Sequence, residues 1–213
     1  SAEWNALGFY LHTHPLENKK REVRNMCGFF ISELQSEAHT QRIAGCLMQY
    51  NVRQGKRGRF AFATLDDGSG KIEVSIWADV FEKYRNLLKK GQILIVEGLI
   101  EKDDYSDSIK HKMIAERILT FDQARHEYIK NVKINLDDSP ENTSSVISSL
   151  KKLATSDQGN TILISYKGDS AAADIVLPNH YSIKIDDSSI KSLKKCFGAD
   201  NVEFVYHTQK HIN

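Results

Sequence analysis

Four cationic side chains, Arg53, Lys56, Arg57 and Arg59, stand around Gly55 and Gly58, and the chain then runs into Phe60-Ala61-Phe62-Ala63-Thr64-Leu65. Cations on a glycine-punctuated loop suit phosphate oxygens, because glycine lets the backbone approach closely and each Lys or Arg neutralises one charge. Aromatic rings at alternate positions of a strand suit unstacked bases, which gain roughly 1–3 kcal/mol each on such a platform. Period-two alternation divides the hairpin 60–77 into two faces. One carries Ala61, Ala63, Leu65, Ile72, Val74 and Ile76; the other carries Phe60, Phe62, Thr64, Lys71, Glu73, Ser75 and Trp77. The second set holds the polar residues, so it is the predicted solvent face, with three aromatic rings on it. The opposite parity would bury Phe60 and Phe62 and turn the alanines to water. A second polar loop adds Tyr105 and Lys110, diluted by Asp103, Asp104 and Asp107.

Other chemistry finds less support. Asp66 and Asp67 are adjacent carboxylates, but beside Gly68 they are explained as turn formers. His12 and His14 stand two apart without a further ligand pattern, and a helix-ending turn before Pro15 accounts for them. Cys27, Cys46 and Cys196 are few, distant and odd in number, and are expected to be small buried hydrophobes. No phosphate loop, zinc-binding His-Glu-x-x-His helix or nucleophile elbow occurs. The expectation is therefore no catalytic residue and no metal site in this segment.

The chain has 213 residues, 40% hydrophobic and 27% charged, enough for one large domain or two small ones, and two are expected. Nothing resembles an export signal or a membrane span, so the expected location is cytoplasmic. The start, Ser1-Ala2 with Trp4 already inside a helical pattern, suggests a piece of something longer. The net charge of +1 hides an asymmetry. Between Arg53 and Lys71 five Lys or Arg face two Asp; from Val132 onward nine Lys face ten Asp or Glu. A footprint for phosphates belongs to the first region alone.

The elements that must position these residues follow from periodicity. Residues 3–11 read as a helix, and 17–38 as a further short helix and a connection. "RIAGCLMQYNVR" reads as a long strand whose Gly45 marks a bulge or a tight coil. "FAFATL" and "KIEVSIW" form a hairpin about "DDGSG". "ADVFEKYRNLLKK" spaces Val80, Tyr84, Leu87 and Leu88 as one helical face with Gly91 as a stop. "QILIVEGLIEK" and "KHKMIAERILTF" complete three strands, a helix and two strands, the order of a five-stranded OB-fold barrel. Beyond it the pattern predicts a small α+β domain: strand "VKINL", helix "SSVISSLKKLA", a hairpin about Gly168-Asp169, strand "YSIKI", helix "SSIKSLKKCF" and strand "NVEFVYH". The predicted divisions are a helical lead-in over 1–38, the OB-fold over 39–128 and the α+β domain over 129–213.

"LGFYLHTHPL" at 7–16, "GRFAFATLDDGSGKIEVSIWADVFEKYRNLLKKGQILIVEGLI" at 58–100 and "MIAERILTFDQAR" at 113–125 resemble the C-terminal region of the bacterial replicative DNA polymerase III α subunits. The resemblance covers about residues 4–128. It implies that this OB module binds the single-stranded DNA template, with Arg53, Lys56, Arg57 and Arg59 in its β1–β2 loop. It also implies a nucleotidyltransferase as the parent protein, with Mg at carboxylates outside this sequence. Residues 129–213 have the size and position of the family's last domain, which binds the clamp-loader τ subunit in the replisome. "LPNHYSIKIDD" departs from the family there, with Tyr181 in place of a tryptophan. The full set of predicted nucleic-acid contacts is Arg53, Lys56, Arg57, Arg59, Phe60, Phe62, Lys71, Trp77, Tyr105 and Lys110. Two alternatives stand beside this: the tRNA anticodon-binding OB module of a synthetase, and an OB module that docks protein.

Overall fold

A computed structural model describes residues 14–102, 111–137, 142–154, 159–169 and 171–207. The predicted helix at 3–11 lies outside these, as do Tyr105 and Lys110. The chain divides into two compact units between Ile118 and Leu119.

In the first unit, helix α1 (Lys20–Cys27) buries Val23, Met26 and Cys27, the three- and four-residue spacing of one helical stripe, and ends at Gly28 with a left-handed φ of 83°. Five strands follow: β1 (Gln41–Gly55), β2 (Gly58–Asp66), β3 (Lys71–Ile76), β4 (Ile93–Lys102) and β5 (His111–Thr120). They close in the order β1-β2-β3-β5-β4, with β3 and β5 parallel. Inside lie the alternate residues Ile43, Leu47, Ala61, Ala63, Leu65, Ile72, Val74, Ile76, Leu94, Val96 and Met113. Gly45 is required by close packing: a Cβ there would stand 2.7 Å from the Cβ of Leu65. Between β3 and β4, helix α2 (Ala78–Tyr84) continues as a 3-10 turn over Arg85–Leu87. Its most buried contributions are Phe81 and Leu88, while Val80, Tyr84 and Leu87 pack at the margin.

The turn between β2 and β3 is made by the two aspartates, as their sequence context suggests. Asp66 Oδ1 accepts from the Gly68 N–H, and Asp67 Oδ1 accepts from the backbone N–H groups of Ser69 and Gly70. Asp67 has a further task that the sequence conceals. It is buried, and its Oδ2 accepts from the Ile31 N–H at 2.7 Å, tying the lead-in segment to the barrel turn. Arg42 makes a second tie, donating to the Met26 carbonyl at the end of α1 and to Glu97 on β4.

In the second unit, helix α3 (Phe121–Tyr128) precedes β6 (Ile129–Leu136), α4 (Asn142–Leu153), β7 (Thr161–Lys167), β8 (Ala172–Val176), α5 (Asp187–Phe197) and β9 (Val202–Tyr206). The sheet order is β8-β7-β6-β9; β6 and β7 are parallel and the other pairs antiparallel. Val146 and Leu150 of α4 and Leu193 and Phe197 of α5 cover Val132, Ile134 and Ile162 of the sheet.

Two local readings need correction. "YSIKI" is not a strand: after a 3-10 turn at Asn179–Tyr181 it makes one isolated bridge, Ile183 to Asn160. Ile183 and Ile185 are both buried, which produces the alternation, but β7 is already flanked by β6 and β8 and offers no free edge. The second correction is α3, which the sequence reading passed over. Its start is a capping box, with the Thr120 side chain accepting from the Gln123 N–H and the Gln123 side chain accepting from the Thr120 N–H.

Candidate nucleic-acid interface

β1 is longer than its barrel neighbour. It pairs with β4 only over Gln41–Cys46, then continues alone with β2 to the turn at Gly55–Gly58. Residues 48–54 are exposed without alternation. β2 still pairs with β3 from Ala61 onward, and Ala61 and Ala63 face the core, so only the tip, Arg53 to Phe60, is a two-stranded arm extending beyond the barrel.

The register of that arm sets its chemistry. Leu47 opposes Leu65, but Gln49 opposes Thr64, so Met48 is the extra residue of a β-bulge. The odd-numbered residues Ile43 and Leu47 face the core; beyond the bulge the odd-numbered residues face outward instead. Asn51 then lies across from Phe62, and Arg53 across from Phe60. Directly opposed residues of an antiparallel pair share a face. The bulge thus brings a guanidinium to the aromatic side, where an unbroken ladder would have turned it to the other.

Phe60 and Phe62 are half-buried while Ala61 and Ala63 are buried, so the expected strand parity holds. With Trp77, 47% exposed, they form a three-ring cluster. Ring centroids are 5.6 Å apart for Phe60–Phe62, 5.4 Å for Phe60–Trp77 and 6.2 Å for Phe62–Trp77. The two phenylalanines meet edge to face, a favourable geometry that holds the rings in place. Trp77 sits at the start of α2 in extended conformation, and the helix behind it fixes its backbone. Next to the cluster is a cleft of about 420 Å³ lined by Gly55, Lys56, Arg57, Phe60, Trp77 and Asp79.

The predicted cations separate into two groups. Arg53, Lys56 and Arg57 are exposed around the aromatic face and its cleft. Arg59 is on the reverse face, opposite Gln54, where it donates to Glu82 at 2.9 and 3.2 Å and lies over the Phe81 ring. Lys71 shares the aromatic face but opposes Asp66 at the far end of β3, six residues or about 20 Å of strand from Trp77. It is 4.0 Å from the Asp66 carboxylate. Asn51 and Asp79 are the site residues that sequence reading missed. Asn51 becomes visible only once the bulge at Met48 is known, and Asp79 only once α2 is seen to start at the cleft.

Residues 42–120 match the family of OB-fold nucleic acid binding domains. A DNA polymerase III subunit alpha from Pseudomonas aeruginosa is 29% identical over 206 residues, covering 96% of this chain and 17% of its own length. One from Escherichia coli O157:H7 is 29% identical over 210 residues, covering 96% of this chain and 18% of its own length. The chain is homologous to part of DNA polymerase III subunit alpha. Both units lie within the homologous stretch, and the chain spans less than a fifth of the length of these polymerase relatives. A solved replication factor A related protein from Methanobacterium thermoautotrophicum is 17% identical, with a TM-score of 0.36, over 43% of this chain and 89% of that one. Among the described residues, no helix is long and apolar enough to cross a membrane, and no three His, Cys, Asp or Glu side chains are grouped to hold a metal.

Proposed function

We propose that this chain is the C-terminal, template-handling part of a bacterial replicative DNA polymerase, and that its first unit binds single-stranded DNA along the arm. The observation that carries the reading is the meeting of Phe60, Phe62 and Trp77 with Arg53, Lys56 and Arg57 on one side of a projecting ribbon. Bases stack on the rings while the cations follow the phosphates. Arg59 and Lys71, each facing a carboxylate, contribute less.

The chemistry of nucleotidyl transfer belongs to the parent polymerase. Its Mg, by the polymerase likeness, belongs to carboxylates of the parent protein outside this chain. The second unit, with near-neutral charge from Val132 onward, has a composition suited to a protein partner rather than to a polyanion, and the clamp-loader τ subunit is the partner that the polymerase likeness suggests.

The test is a salt titration of labelled single-stranded DNA binding to the chain, beside an RNA of equal length. Binding with a log–log slope near −0.7 for each of several phosphates, and no preference for RNA, is the expected result. A clear preference for RNA would favour an anticodon-type module. No binding of either at near-physiological salt would favour a protein-docking one.

A further inference from the structure

The cleft beside Trp77 contains one group that phosphate binding does not use. Asp79 is a carboxylate in a site otherwise lined by Lys56, Arg57 and two aromatic rings. An acid in the first turn of a helix is ordinarily placed there by the helix dipole. Here it also stands exposed at the rim of a cleft of about 420 Å³, roomy enough to admit a nucleobase. On a surface that attracts a polyanion, a carboxylate beside the stacking platform repels phosphate, so any favourable contact must come from N–H groups on a base.

The Watson–Crick edges of the four bases differ in what they present to a cation and a carboxylate side by side. Guanine offers an acceptor, O6, followed by two donors, N1–H and N2–H. Thymine offers acceptor, donor, acceptor. Cytosine offers one donor and then two acceptors, and adenine a donor followed by an acceptor. Only guanine gives a carboxylate two adjacent donors while turning an acceptor toward a neighbouring Lys or Arg.

We infer that this cleft is a guanine-preferring subsite of the single-strand path: the base stacks on Phe60 and Trp77, Asp79 accepts from N1–H and N2–H, and Lys56 or Arg57 donates to O6. The inference rests on the single-stranded DNA reading above and adds a base preference to it. One such subsite would bias where a strand settles on the arm without making binding sequence-specific.

The experiment uses the full chain and short thymidine oligonucleotides, unsubstituted or carrying one central dG, dI or dA, with competition read by fluorescence anisotropy. The dG oligonucleotide should bind about fivefold more tightly than all-thymidine, within the range for one bidentate base contact. Inosine, which keeps O6 and N1–H but lacks the N2 amine, should fall between, and dA should gain nothing. Asp79→Ala should bring dG and dT to equal affinity. Equal binding of dG and dT by the unsubstituted protein, or a dG preference that survives Asp79→Ala, would overturn the subsite and leave the single-strand reading standing. Absence of binding by every oligonucleotide would remove both.

Discussion

At the scale of single residues the platform and its cations make separable contributions. Phe62→Ala should weaken single-stranded DNA binding by roughly 1–3 kcal/mol while leaving the salt slope unchanged, because a ring contributes stacking and no charge. Anisotropy at several salt concentrations reads both quantities. Arg57→Ala should reduce the slope by about 0.7, whereas Arg59→Ala, whose partner is Glu82, should leave it nearly unchanged. A full loss of slope at Arg59 would move the DNA path to the reverse face of the arm. The cysteines give a further contrast. Cys27 is buried and its thiol is pushed up to about 12, chiefly by burial, whereas Cys196 is exposed on α5, contrary to the expectation that all three would be interior. Iodoacetamide at pH 8 should therefore label Cys196 and spare Cys27 in the native protein, as mass spectrometry of peptides would record. Since the folded-state value of Cys27 lies above its unfolded one, its contribution to stability is complete below about pH 9 and is lost as the pH rises toward 12.

At the scale of elements, the tie between the lead-in and the barrel turn depends on Asp67. Asp67→Ala would leave the Ile31 N–H and the Ser69 and Gly70 N–H groups without their acceptor, and should cost roughly 1–3 kcal/mol per group left unsatisfied and buried. A urea melt of the variant beside the parent measures it; an unchanged midpoint would mean that water replaces the carboxylate. The same aspartate marks what sequence could yield. Its role as a turn former is local, so Asp-Asp-Gly sufficed, but its bond to a residue 36 positions earlier left no periodic trace. Strand parity at Phe60 and Phe62 was readable because alanines and β-branched residues alternate with polar ones through β2 and β3. The side taken by Arg53 was not, because one extra residue at Met48 reverses the alternation of β1 midway. Likewise "YSIKI" has the burial pattern of a strand without a neighbour to pair with, and only the sheet order reveals that lack. The helix α3 is the opposite case: Thr120 and Gln123 have the spacing of a capping box, yet no helix is expected there from periodicity.

At the scale of the whole molecule the net charge is +1, too small for a diffuse electrostatic field to gather DNA. Binding is then a property of where the cations stand. Arg53→Glu with Arg57→Glu and Lys194→Glu with Lys195→Glu change the total charge equally, by four. The first pair should abolish measurable binding at about 0.15 M salt, where fields decay over roughly 8 Å, and the second should change affinity by no more than about twofold. Similar losses from both pairs would mean that total charge, or a contribution from α5, governs the encounter. The arm's geometry has one more consequence. Between Met48 and Arg59 the side chains contribute almost nothing to the core, so substitutions there escape the usual coupling in which a gain of affinity is offset by a loss of folding. Selection can retune the grip on the strand in small steps, tighter or looser, while the barrel beneath stays as it is.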